Sequence, residues 1–173
     1  PASFMLVASM NPCPCGYYNH PSKDCVCAPG MVQKYLNRIS GPLLDRIDIH
    51  LEVVPVPFKK LAETAPSETS SRIRERVIRA RQIQEERFRE VKGVYGNAQM
   101  SSKMIREHVE LDGAGKELIK QAMDKLGLSA RAYDRILKVA RTIADLEENP
   151  RVESFHLSEA IHYRSLDREN WGG

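Results

Sequence analysis

Ser129-Ala130-Arg131-Ala132-Tyr133-Asp134-Arg135-Ile136-Leu137-Lys138-Val139-Ala140-Arg141-Thr142-Ile143-Ala144 reads as the strongest helix of the chain. Tyr133, Ile136, Leu137, Ala140 and Ala144 recur on one face at helical spacing. Ser129 stands at the N-cap, where its hydroxyl accepts a free backbone N–H, and Asn149-Pro150 stops the helix. Upstream, Leu118, Ile119, Ala122, Met123 and Leu126 trace a second apolar stripe, closed by Gly127 at C′. Ser101 caps a third helix, with Met100 and Ile105 placed as a hydrophobic staple. Arg72 to Lys92 reads as a long charged helix ended by Gly93 and Gly96, with Ile73, Val77, Ala80 and Phe88 near one stripe. Packing on the core is the favoured role of that helix. Docking on a phosphate backbone is the alternative, diluted by Glu75, Glu85, Glu86 and Glu90. Leu157, Ala160 and Ile161 mark a short last helix.

The N-terminal third follows another pattern. Phe4-Met5-Leu6-Val7-Ala8 is apolar on both parities, as a central parallel strand covered on both faces would be. Met31 to Ile39 has the spacing of a short helix. Ile47, Ile49, Leu51 and Val53 alternate with Asp48, His50 and Glu52, a period-two strand at a sheet edge, ended by Pro55 and Pro57. The polar stretch Lys59 to Ser71 reads as a linker. The expected fold is thus α/β over residues 1–57, with an incomplete parallel sheet. A linker at 58–71 and an all-α unit at 72–173 follow. No internal repeat or low-complexity tract interrupts this plan.

A chain of 173 residues holds one ordinary domain or two small ones, and 42% apolar residues suffice for a core. Only 6% are aromatic, so that core should be aliphatic. A net charge of +3 permits a nucleic-acid partner without demanding one. No apolar run approaches the roughly 18 residues of a membrane span, and no secretion signal opens the chain. A cytoplasmic location is therefore expected, where paired cysteines read as metal ligands before disulfides.

Cys13-Pro14-Cys15 and Cys25-Val26-Cys27 supply two Cys-x-Cys pairs across a nine-residue loop. Four thiolates complete a tetrahedral zinc shell and leave no open position for water, so such a site is structural. Pro14 stiffens the first pair, and Gly16 lets the chain turn away. The same spacing also admits reduced buried cysteines, a redox or disulfide pair, or His20 in place of one thiolate. Asn11 follows the apolar run at its carboxyl end, where α/β sheets bind ligands. Its amide suits orienting a water beside a terminal phosphate, or simply a turn before Pro12. Arg46 offers a guanidinium suited to the charge of a transferring phosphoryl group. On spacing alone, pairing with Asp45 or Asp48 is the favoured role. Arg131 lies in the first turn of the Ser129 helix, where a cation opposes the helix dipole and an anionic ligand would explain it. Arg135, Lys138 and Arg141 read as a solvated face.

Three stretches together carry a resemblance: Met10-Asn11-Pro12-Cys13-Pro14-Cys15-Gly16, Arg38-Ile39-Ser40-Gly41-Pro42-Leu43-Leu44-Asp45-Arg46-Ile47-Asp48 and Leu128-Ser129-Ala130-Arg131-Ala132-Tyr133-Asp134-Arg135-Ile136. The chain resembles the magnesium-chelatase-like AAA+ ATPases, most closely their bacterial ComM/YifB group. The resemblance implies a P-loop AAA+ core followed by a helical lid. It makes Asn11 sensor 1, Arg46 the arginine finger and Arg131 the sensor-2 arginine. It further implies ATP and Mg²⁺ as cofactors, a ring hexamer of identical subunits, and DNA as the partner in branch migration during natural transformation. The sequence has no Gly-x-x-x-x-Gly-Lys-Ser/Thr loop and no apolar strand ending in Asp-Glu. It is therefore expected to be a C-terminal portion that does not hydrolyse ATP alone. Two other readings remain: an ATPase subunit of a metal–porphyrin chelatase, and a zinc-stabilised interaction module.

Overall fold

The computed structural model describes residues 4–56 and 67–164. Two short helices lie in the first part, α1 (Met31–Leu36) and α2 (Gly41–Leu44). The second part holds α3 (Ser70–Arg87), a 3₁₀ turn (Asn97–Gln99), α4 (Ser102–His108), α5 (Gly113–Lys125), α6 (Ala130–Leu146) and α7 (Ser154–His162). Most of the expected 58–71 linker, and the end of the last unit, lie outside the described residues.

Local sequence explains where these helices begin. The side chains of Thr69, Ser101, Asp112 and Ser129 each accept an N–H of the first turn that has no partner inside its helix. At α7 the cap is reciprocal. The Glu153 side chain takes the N3 backbone N–H, and His156 Nδ1 accepts the Glu153 N–H at 2.8 Å. The end of α5 is equally explicit. Gly127 adopts φ 57°, and the Leu128 N–H reaches back to the Met123 carbonyl at 3.1 Å.

Helix α6 is the hub, packing against α3, the 3₁₀ turn, α4 and α7, while α5 packs on α7. Its Ile136, Leu137, Ala140, Ile143 and Ala144 join Ile105, Val109, Leu111, Ile119, Val152 and Leu157 in one buried cluster. The core is aliphatic, as the composition predicted. Phe88 is the only phenylalanine, tyrosine or tryptophan fully buried in it among the described residues. The staple pair Met100 and Ile105 is buried in the same cluster, each 2% exposed.

Several expectations are corrected. No strand forms among the described residues. Phe4–Ala8 and Ile47–Val54 are irregular, with Phe4, Met5, Leu6, Val7, Leu51 and Val53 all exposed. A strand exists through ladder bonds to a neighbour, and neither stretch has one here. The partial α/β core is therefore absent from the described structure. The long charged helix ends at Arg87, and only its second half packs: Ala80 and Gln84 are buried, while Ile73 and Val77 are exposed. The expected solvated face of α6 is engaged throughout. Lys138 donates to the Ala98 carbonyl at 3.0 Å. Arg135 pairs with Asp48, and Arg141 is only 2% exposed.

Arg141 belongs to a buried network around Asp145. Arg87 donates to both Asp145 oxygens (2.7 and 2.5 Å), Asn97 Nδ2 to one (2.7 Å) and Arg141 Nε to the other (3.1 Å). Arg141 also donates to the Pro150 and Asn149 carbonyls, closing the end of α6. Burial lowers the Arg141 pKa and Arg87 adds to that, while the Asp145 carboxylate opposes it.

Candidate functional site

The Cys13–Cys27 loop folds as two turns. The Gly16 N–H bonds the Cys13 carbonyl at 3.0 Å, and Gly16 takes φ 82°, a conformation open to glycine. The His20 N–H then bonds the Tyr17 carbonyl at 3.1 Å. These turns bring the two Cys-x-Cys pairs together. Cys13 Sγ lies 3.3 Å from Cys15 Sγ and 3.8 Å from Cys25 Sγ, and Cys15 and Cys25 are 3.6 Å apart. All four sulfurs, Cys27 included, fall within 4.8 Å of one another, and all are free thiols. A tetrahedron with metal–sulfur bonds of about 2.3 Å has edges of roughly 3.8 Å. The donor set thus has the size and chemistry of a closed four-thiolate metal site.

Electrostatics of the loop favour partial ionisation. The Tyr17 backbone N–H, the largest influence, helps lower the Cys15 thiol to about 6. For Cys27, the Cys15 backbone N–H pulls downward, but burial and the bonds to the neighbouring thiols push it up to about 12. Cys25 is raised in the same way, against the Cys27 backbone N–H. Four adjacent thiols cannot all carry charge unless a cation joins them. The Tyr18 N–H adds a donor to Cys13 Sγ at 3.3 Å, the kind of outer contact that orients a ligating sulfur. His20 is not a member of the group. Its Nδ1 accepts the Ser22 N–H at 3.1 Å, and its ring meets Tyr17 edge-on.

Asn11 is exposed, two residues before Cys13. Arg46 is exposed on the turn after α2, between buried Leu44 and Asp45 on one side and buried His50 on the other. Its Nη1 donates to the Pro42 carbonyl, one turn back. Asp48, one of the two expected partners, is instead paired with Arg135. Arg131 is exposed in the first turn of α6, one turn before Arg135. The structure therefore joins the Arg46 turn to the helix of Arg131 through the Asp48–Arg135 pair. Sequence reading missed that junction, because Asp48 and Arg135 are 87 residues apart and each looks like an ordinary surface charge.

Comparison with known proteins bears on what this arrangement serves. The family described as "Magnesium chelatase, subunit ChlI C-terminal" matches residues 67–164, and "Magnesium chelatase, subunit ChlI" matches residues 1–61. Competence protein ComM of Haemophilus influenzae is 43% identical over 169 residues, which is 97% of this chain and 32% of that protein. The uncharacterized protein YifB of Escherichia coli is 42% identical over 171 residues, again 97% of this chain and 32% of the relative. YifB of Salmonella typhimurium is 39% identical over the same length and the same shares. The chain spans about a third of the length of these relatives. No helix among the described residues is long and apolar enough to cross a membrane. With the match to residues 67–164 covering the capped helices α3 to α7, the chain belongs to the magnesium chelatase ChlI family.

Proposed function

We propose that this chain is the C-terminal portion of a cytoplasmic AAA+ ATPase that assembles as a ring hexamer and drives DNA branch migration or unwinding. Residues 1–57 would close the ATPase core, 58–71 link, and 72–173 form the lid. Asn11 acts as sensor 1, positioning water near the terminal phosphate. Arg46 is the arginine finger, reaching the nucleotide of the neighbouring subunit, and Arg131 is the sensor-2 arginine. Cys13, Cys15, Cys25 and Cys27 hold a structural Zn²⁺. The phosphate loop and the Mg²⁺ ligands have no counterpart in this sequence, so ATP and Mg²⁺ bind only in the full-length protein, and this portion is inactive alone.

The observation that carries this reading is the setting of Arg46. Arg46 is exposed on a turn that follows the buried Leu44 and Asp45, and no carboxylate among the described residues pairs with it. A finger acting on another subunit needs a free cation on a firm mount. The charge then meets the developing phosphoryl charge, and the geometry is set before reaction. The similarity to a protein named as a competence protein is the ground on which this reading takes DNA as the substrate.

A second reading starts from the family's description as a magnesium chelatase subunit: this portion would then belong to an ATPase subunit serving metal insertion into a porphyrin. The two separate in one assay. ATP turnover of the full-length protein, measured with branched DNA and with porphyrin plus partner subunits, should rise with DNA alone. A response only to porphyrin would favour the chelatase reading. No ATP turnover under any condition would leave a zinc-stabilised interaction module.

A further inference from the structure

Four consecutive residues after Arg46 are tied to the helical unit at three points. The Ile47 carbonyl accepts a hydrogen bond from Arg164 Nη1, across 117 residues of chain. The Asp48 carboxylate pairs with Arg135 on α6. The His50 N–H donates to the Tyr163 carbonyl at 2.8 Å, just past the end of α7. Arg164 is 1% exposed, so its bond to Ile47 is made away from water, where such contacts hold best. Beyond His50 the chain is exposed again, from Leu51 to Val56. The anchorage is therefore local to the residues carrying Arg46, and it grips both α6 and the turn just past α7.

Four residues of α6, about 6 Å of rise, separate Arg135 from Arg131. Both Arg46 and Arg131 are exposed, and each projects from a base that the Asp48–Arg135 pair joins. Side-chain exposures of 28% for Arg135 and 53% for Asp48 mark a pair that adds little to stability. What such a pair supplies is register between two elements with no sequence proximity.

We infer that Asp48 and Arg135 are positioning residues: their ion pair, backed by Arg164, locks the Arg46 turn to the helix that carries Arg131. The orientation of the lid then sets where the finger points. A lid movement driven by nucleotide at one site is passed along rigid α6 to an arginine serving the adjacent site. This inference rests on the roles proposed above for Arg46 and Arg131, but the lock itself does not.

Two measurements test it separately. In the 173-residue chain, amide hydrogen exchange at His50 reads the lock directly, since that N–H is one of the three ties. Arg135→Ala should speed His50 exchange by about two- to fivefold, and the exchanged pair Asp48→Arg with Arg135→Asp should restore protection. Unchanged His50 exchange in Arg135→Ala would overturn the lock. In the full-length protein, Arg135→Ala should lower kcat for ATP by about tenfold while leaving KM within about twofold, and the exchanged pair should recover kcat. Faster His50 exchange with an unaltered kcat would overturn the positioning role. A wild-type protein that turns over no ATP would instead overturn the proposed function, and His50 exchange would still decide the lock.

Discussion

Asp145 sits at 0% exposure and accepts from two guanidinium groups, those of Arg87 and Arg141, and from Asn97. Asp145→Ala would leave the buried Arg141 and the partly buried Arg87 without their carboxylate. That should cost about 3–5 kcal/mol, read as a lower midpoint in urea unfolding. This residue was invisible in the sequence. Arg141 and Asp145 are four apart on a helix, a spacing equally common on solvated faces, and only the packing of α3 and the 3₁₀ turn over them reveals burial. The cysteines were the opposite case, because two close pairs in a short loop leave few ways to arrange four sulfurs. Zinc binds thiolates, and Cys27 and Cys25 start well above neutral pH. Uptake at pH 7 should therefore release protons, and affinity should fall as pH falls. Calorimetry in buffers of different ionisation enthalpy checks this, and metal uptake with no proton release would contradict a four-thiolate site.

At the scale of elements, the helices were legible because both their ends and their faces are written locally. Ser129 Oγ accepts the Ala132 N–H at 3.2 Å, so Ser129→Ala should destabilise the helical unit by about 1 kcal/mol. Ile136, at 0% exposure in the hub helix, should cost about 2–5 kcal/mol when cut to Ala. A Ser129→Ala effect as large as that of Ile136→Ala would mean that α6 is held by its cap rather than by its core face. Strands are different. The alternation over Ile47–Val53 describes a strand only if a neighbour supplies the ladder, and periodicity carries no information about whether that neighbour is present. The long charged helix forms, but it is shorter than expected and is buried over only part of its length. Its stripe continues through the exposed Ile73 and Val77, but its buried residues, Ala80 and Gln84, lie in its second half.

Across the whole molecule, burial is uneven. The cluster centred on α6 should show strong protection from hydrogen exchange, whereas Phe4–Val7 and Leu51–Val56 should exchange rapidly. Uniform protection across the chain would contradict this division. Between these regions lies the anchored turn of Arg46, the point at which the family's proposed chemistry meets the fold. Sequence alone brought Asn11, Arg46 and Arg131 forward as separate candidates, and the structure links Arg46 to the helix of Arg131. The most direct test is ATP turnover and ATP binding in the full-length protein carrying Arg46→Ala. An arginine finger acting across subunits predicts that turnover falls by about 10³-fold or more while ATP binding is retained. Turnover at the wild-type rate would contradict it.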